Sequence, residues 1–243
     1  MSRFLIFIYG LVSYVVGVGG LAWFALFIGG WEFLPRHIDS DVPGPLGSAL
    51  LINASLLAIF VVQHSIMARL TFKSRWTRII PPAAERSTYL FVSGILMALF
   101  CLYWQPIGGG ALWQVDNPIG KAILIAVYVI GWSVPVVASF MINHFELFGL
   151  RQVYFNLINK PEPSPHFTER WFYKAVRHPI QLGTLIGMWA TPTMSMTHLL
   201  LSATLTAYVL IAIYYEEKDL VTTLGRNYVD YQKRVPMIIP LPK

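Results

Sequence analysis

The composition of this 243-residue chain is that of a protein surrounded by lipid. Hydrophobic residues make up 56% of it and charged residues only 12%, and its mean hydropathy is +0.57. So few charges could not cover the surface of a soluble protein of this size, and the composition therefore predicts an integral membrane protein. The single cysteine, Cys101, excludes an intramolecular disulfide and a cysteine-based zinc site.

Long apolar runs predict the membrane-spanning helices. Four of them lie at residues 4–30, 46–67, 87–104 and 122–142. Two further apolar segments, 179–190 and 198–215, form a hairpin, and the first of these is short for a full crossing. The predicted fold is an all-α, polytopic transmembrane helical bundle with five or six membrane segments.

The basic residues are distributed unevenly between the loops. If the amino terminus is cytoplasmic, 16 of the 18 Lys and Arg residues fall in cytoplasmic segments. The positive-inside rule therefore predicts that both termini are cytoplasmic. The net charge of +6 needs no nucleic-acid partner to explain it. This topology also brings four polar clusters to one membrane face, namely His64, Asn143-His144, Arg177-His178 and Glu216-Glu217.

Two motifs flank the apolar hairpin. The first is Arg-His-Pro-x-x-x-Gly, from Arg177 to Gly183. The second begins at Glu216-Glu217 and continues through Gly225, Tyr228, Tyr231 and Val235-Pro236. Their spacing resembles the signature of the integral-membrane methyltransferases, which include isoprenylcysteine carboxyl methyltransferases and phospholipid N-methyltransferases.

Three other stretches narrow the resemblance to one branch of that superfamily. They are Gln63-His64-Ser65-x-Met67-Ala68-Arg69, the run from Asn143 to Arg151, and Trp189-Ala190-Thr191-Pro192-Thr193-Met194. They resemble the branch that methylates methanethiol, and hydrogen sulfide is a further candidate acceptor for such a site. The resemblance implies S-adenosyl-L-methionine as the cofactor, a small thiol as the substrate, membrane lipids as neighbours and the bacterial inner membrane as the location.

The resemblance also implies the internal organisation of the chain. We expect one methyltransferase domain over residues 1–243, with four spans in 1–142 and the catalytic region in 143–243. That region would contain a short interfacial amphipathic helix at 167–176, the apolar hairpin and a C-terminal helix. The oligomeric state is left open.

The resemblance assigns the two hairpin motifs to cofactor binding. By its chemistry, Arg177 suits the cofactor carboxylate, and Glu216 or Glu217 suits its amino group or ribose hydroxyls. Gly183 would let the backbone approach the ligand. Tyr228 and Tyr231 share a helical face and suit packing as well as cofactor contact. The full predicted set is Arg177, His178, Pro179, Gln181, Gly183, Glu216, Glu217, Tyr228 and Tyr231.

The acceptor site is predicted from what a thiol needs. A base must favour the thiolate, and we expect His64 in this role ahead of His144. Asn143, Glu146 and Gln63 would orient these histidines. No metal site is expected, since the spacing of the histidines and Glu146 matches no compact ligand motif.

Two departures from the carboxyl methyltransferases argue against a carboxylate acceptor. Those enzymes usually have Tyr where this chain has Gln181, and Arg where it has Met237. Methylation of a lipid-like acceptor nevertheless stays an alternative. A non-enzymatic transport or assembly protein of related fold is the other.

Overall fold

The computed structural model describes residues 2–163 and 167–240. Within this part the chain forms helices and one pair of short strands. The helices are α1 (Arg3–Ile28), α2 (Leu46–Ala68), α3 (Leu70–Trp76), α4 (Glu85–Tyr103), α5 (Pro118–Ile142), α6 (His144–Leu147), α7 (Leu150–Leu157), α8 (Phe172–Ala175), α9 (Pro179–Trp189), α10 (Met196–Leu224) and α11 (Arg226–Arg234), and the strands are β1 (Ala111–Gln114) and β2 (Thr193–Ser195).

Among the described residues, five helices are long and apolar enough to cross a membrane. They are α1, α2, α4 together with the 3-10 turn Pro82–Ala84 before it, α5 and α10. The prediction of an all-α, polytopic membrane protein with five or six membrane segments is thus confirmed. The remaining apolar segment, α9, has 11 residues and is about 16 Å long, roughly half the apolar thickness of a bilayer.

One compact unit consists of residues 2–108 and 143–163. Its helices α1 and α4 pack closely because glycines face each other. A Cβ atom on Gly20 would lie 2.7 Å from the carbonyl oxygen of Gly94, and one on Gly94 would lie 2.5 Å from the carbonyl oxygen of Val16. Small residues of this kind let two membrane helices approach through their backbones.

The second compact unit consists of residues 109–142 and 167–240. Here α9 packs along α5 in the same manner. A Cβ atom on Gly131 would lie 2.5 Å from the Gly187 nitrogen, and one on Gly183 would lie 2.6 Å from Cδ of Pro135. The proline inside α5 therefore lies against a glycine of α9, and the absence of a side chain there makes room for its ring.

The end of α9 is held by α10. The Met188 carbonyl oxygen accepts a hydrogen bond from Ser202 Oγ (3.1 Å) and lies 2.8 Å from His198 Nε2. Both polar side chains are buried. A helix that ends among apolar neighbours needs such partners, because its last carbonyl groups have no acceptor role within the helix.

Two features of this unit differ from the sequence-based expectation. The antiparallel strands β1 and β2 were not predicted, because each has only three or four residues. The helix predicted at 167–176 was too long, since only Phe172–Ala175 is helical. Trp171 has a φ of 46°, which prevents a helix from continuing through it, and Val176 is extended.

Gly225 sets the direction of the C-terminal helix. Its φ of 60° lies in the left-handed region that glycine adopts without a Cβ clash, and it separates α10 from α11. Helix α11 consequently folds back on the end of α10. Tyr228, Tyr231 and Val235 then form an apolar cluster against Leu220, Val221 and Leu224.

The α5–α9 contact gives a first prediction. Gly131→Ala should lower the free energy of unfolding by about 1 to 3 kcal/mol, because the added methyl group meets the α9 backbone, which cannot rotate away. Thermal unfolding of the purified protein measures the change. Gly19→Ala is the matched control, since a Cβ at Gly19 has no neighbour within 4 Å. Equal unfolding temperatures for both variants would contradict the close contact.

Candidate active site

Glu217 is the centre of the polar cluster in the second unit. Its Oε1 lies 2.6 Å from Arg177 Nε, 3.0 Å from His178 Nε2 and 3.4 Å from the Tyr228 hydroxyl, and its Oε2 accepts from Gln232 Nε2 at 2.9 Å. Both carboxylate oxygens are thus used by side chains of this unit. The structure brings together residues of both predicted motifs around this one carboxylate.

Arg177 also fastens the C-terminal segment. Its Nη1 donates to the carbonyl oxygens of Gln232 (3.1 Å) and Val235 (2.5 Å) at the end of α11. Its backbone N–H donates to the Pro236 carbonyl oxygen at 2.9 Å, and that of His178 donates to Met237 at 3.1 Å. Direct binding of the cofactor carboxylate by Arg177 stays a prediction, and Nε and Nη1 are already engaged within the protein.

Glu216 differs from its neighbour in exposure. Its side chain is 47% exposed, against 14% for Glu217. Gln181 donates to its Oε2 at 3.1 Å, and His178 Nδ1 lies 3.8 Å from the same oxygen. A carboxylate at this degree of exposure can receive an ammonium group or hydroxyl groups from a ligand, whereas Glu217 is saturated by protein donors.

The other residues predicted to bind the cofactor also have structural roles within the protein. Pro179 is the first residue of α9, where a missing N–H costs nothing. Gly183 lies against α5. Tyr231 donates to the Tyr173 carbonyl oxygen at 2.5 Å, and burial raises the pKa of Tyr228 and Tyr231 above the usual tyrosine value. Both tyrosines therefore act as neutral packing and hydrogen-bonding groups here, and their contact with a cofactor stays a prediction.

His64 lies in the first unit, near the end of α2. Its ring stacks on Phe60 with centroids 5.2 Å apart, and the Tyr89 hydroxyl lies 2.8 Å from Nε2 and 2.9 Å from Nδ1. Gln63 is bound separately: Ser93 Oγ donates to its Oε1 at 3.3 Å. The His64 ring therefore lies against the rings of Phe60 and Tyr89. The Tyr89 hydroxyl can donate a proton to it or accept one from it.

His144 has its own tyrosine. The Tyr14 hydroxyl lies 2.7 Å from its Nε2, and the ring packs against Phe148. Asn143 accepts from the Glu146 N–H (3.2 Å) and donates to Glu146 Oε2 (3.0 Å), so it orients Glu146 rather than His144. Arg151 forms an ion pair with the same carboxylate. Glu146 is thus paired within the protein, and the two histidines lie in separate hydrogen-bonded pairs.

Burial lowers the pKa of His144 below its ordinary value of 6.5. The unfolded chain consequently takes up a proton at this ring at a higher pH than the folded protein does. We expect the free energy of unfolding to decrease below that pH, and His144→Gln should make this decrease smaller. Thermal unfolding at a series of pH values measures it, and identical pH profiles for both proteins would contradict the assignment.

Among the described residues, no group of three or more His, Cys, Asp or Glu side chains could hold a metal ion.

The sequence reasoning did not identify three polar partners. They are Gln232, which binds Glu217 and supplies a carbonyl oxygen to Arg177, and the tyrosines Tyr89 and Tyr14 beside the two histidines. Gln232 follows Tyr231 directly, so its place in a motif was a usable signal. The tyrosines are 25 and 130 residues from their histidines, and no local pattern links them.

Comparison with known proteins identifies the family. A methanethiol S-methyltransferase of Mycobacterium tuberculosis is 43% identical over 243 residues, which is 100% of this chain and 98% of the relative. The chain belongs to the methanethiol S-methyltransferase family. A second member, from Crocosphaera subtropica, is 42% identical over 240 residues, with 99% of this chain and 93% of the relative aligned.

A more distant relative carries a different name. Nurim of Pan troglodytes is 30% identical over 198 residues, covering 79% of this chain and 73% of its own length. No protein-family model matches the chain, and no solved structure matches it. The sequence-based assignment to the methanethiol branch of the membrane methyltransferases is confirmed by the family members.

Proposed function

We propose that this protein methylates methanethiol to dimethyl sulfide with S-adenosylmethionine as the methyl donor. The observation that carries the proposal is the full-length similarity to methanethiol S-methyltransferases at 43% and 42% identity. The polar cluster around Glu217 supports it, because it unites both motifs that the resemblance assigns to the cofactor.

The cofactor supplies an electrophilic methyl group on a sulfonium sulfur. Glu216 is the side chain that fits its amino group or ribose hydroxyls, since its carboxylate is half exposed and Gln181 holds one of its oxygens. Glu217 and Arg177 act indirectly. They hold α11 and the loop before α9 in place around the position where Glu216 would contact the cofactor.

The acceptor must lose a proton to become a good nucleophile. His64 is our proposed base, with the Tyr89 hydroxyl within hydrogen-bond distance of its ring. His144 is the second candidate, held by Tyr14 in the same way. The thiolate then attacks the methyl carbon in line, and the donor sulfur leaves as a neutral thioether.

We further propose that the protein lies in the bacterial inner membrane with both termini in the cytoplasm. The positive-inside distribution of the basic residues supports this orientation. The five apolar helices support the membrane location itself.

Headspace gas chromatography of the purified protein with methanethiol and S-adenosylmethionine tests the activity. We expect dimethyl sulfide, dependent on both substrates and on the protein. Cofactor binding measured by calorimetry separates the alternatives. Binding without dimethyl sulfide would favour a lipid-like acceptor, to be tested with phosphatidylethanolamine and an isoprenylcysteine. Absence of both binding and product would favour the transport or assembly function.

A further inference from the structure

The segment 169–174 in the second unit is attached to α11 by some of its residues and presents others outward. Glu169 forms an ion pair with Arg234, with oxygen-to-nitrogen distances of 2.7 and 3.4 Å. The Tyr173 carbonyl oxygen accepts from Tyr231. Three other side chains of this segment are exposed, and together with Glu169 they line an open cavity of about 300 Å³. They are Arg170, Trp171 and Lys174.

The charge of this cavity is positive. Among the described residues, Glu169 is the only acidic side chain that lines it, and this carboxylate is already paired with Arg234. Within residues 2–163 and 167–240, neither Arg170 nor Lys174 forms an ion pair. Two cations on one rim, about one helical turn apart in sequence, therefore face the solvent without a neutralising carboxylate, which suits a phosphate group.

Trp171 makes the cavity different from a simple basic patch. Its side chain is 78% exposed, and its φ of 46° places a bulky residue in the left-handed region, which such residues rarely adopt. Phe172, the next residue in the chain, is 37% exposed. Exposed aromatic rings beside basic side chains are typical of the headgroup level of a bilayer.

We propose that this cavity, lined by Arg170, Trp171 and Lys174, binds the phosphate of an anionic phospholipid headgroup. Arg170 and Lys174 contact the phosphate oxygens, and the indole of Trp171 lies beside the glycerol and the first acyl carbons. A free phosphate ion would use the two cations but has no need of the exposed rings. The membrane location of the chain makes the lipid the available ligand.

Native mass spectrometry of the purified protein, equilibrated with equal amounts of phosphatidylglycerol and phosphatidylcholine, tests the site. The double variant Arg170→Gln/Lys174→Gln should bind phosphatidylglycerol about 25-fold more weakly, because each cation near an anionic lipid contributes about fivefold in affinity. The control Arg226→Gln/Lys233→Gln has the same change in charge, at two exposed residues of α11 that are not among the described residues lining the cavity, and should retain the lipid.

Three results would overturn the proposal. Unchanged phosphatidylglycerol binding in the double variant removes the site. An equal loss in the control variant indicates general attraction to a positive surface. Displacement of phosphatidylglycerol by inorganic phosphate at the same concentration indicates a free-phosphate site. The test measures lipid binding and does not depend on whether the protein forms dimethyl sulfide. The proposed activity and the lipid site can therefore fail independently.

Discussion

Replacement of Glu217 by glutamine should lower the free energy of unfolding by about 3 kcal/mol, since Arg177 loses its partner while 7% exposed. For a protein of this size the unfolding temperature should fall by about 6 to 12 °C. An amide presents one acceptor oxygen, whereas four donors converge on the two oxygens of Glu217. We also expect weaker S-adenosylmethionine binding, because α11 and the loop before α9 are held by this carboxylate.

Glu216→Gln is the matched control, one residue away. Its side chain is 47% exposed, so the free energy of unfolding should change by about 0.5 kcal/mol or less. Cofactor affinity should nevertheless fall, since Glu216 is the proposed contact. Thermal unfolding and calorimetric titration of both variants decide between the roles. If Glu217→Gln unfolds like the unmodified protein, Glu217 is not the structural centre; if Glu216→Gln binds the cofactor normally, the proposed contact is wrong.

His64→Ala should lower kcat/KM for methanethiol by about 100-fold or more near neutral pH, which is the usual contribution of a general base. The loss should shrink as the pH approaches the pKa of the free thiol, which lies above the cysteine reference of about 8.5. At that pH the thiolate forms without help from the protein. The measurement is the pH profile of dimethyl sulfide formation under saturating cofactor.

His144→Ala provides the comparison, because His144 has the same kind of tyrosine neighbour. A constant loss across the pH range in His64→Ala would mean that His64 has a structural role. Recovery at high pH in His144→Ala instead would make His144 the base. Tyr89→Phe should shift the pH profile relative to that of the unmodified protein, since it removes the hydroxyl beside the His64 ring. It should lower kcat/KM less than His64→Ala does.

The sequence predicted the membrane helices well, for a physical reason. An apolar run long enough to cross the bilayer must satisfy its backbone internally, so its position and type follow from composition. The bounds of α2, for example, are Leu46–Ala68, against a prediction of 46–67. Short elements lack this constraint. Among the described residues, strands β1 and β2 pair in a sheet of two strands, and one residue, Trp171, decides where α8 begins.

The sequence indicated which residues gather around Glu217 but not how they contact one another, and their role in cofactor binding stays a prediction. Spacing on either side of the hairpin placed Arg177 and Glu217 in one cluster, and the structure joins them directly. The exposure that separates Glu216 from Glu217 depends on how α11 folds back at Gly225, which no local pattern contains. The same limit applied to Tyr89, whose distance from His64 along the chain hides their contact.

The short length of α9 has a consequence for how the chain is assembled in the membrane. A segment of 11 residues is too short to be integrated on its own as a spanning helix during synthesis. Helix α5, made earlier and 25 residues long, offers the surface at Gly131 and Pro135 against which the glycines of α9 can pack, and α10 then binds the C-terminal end of α9. We expect biogenesis to proceed in that order, with the loop carrying Arg177 reaching its final position only after α10 has been inserted.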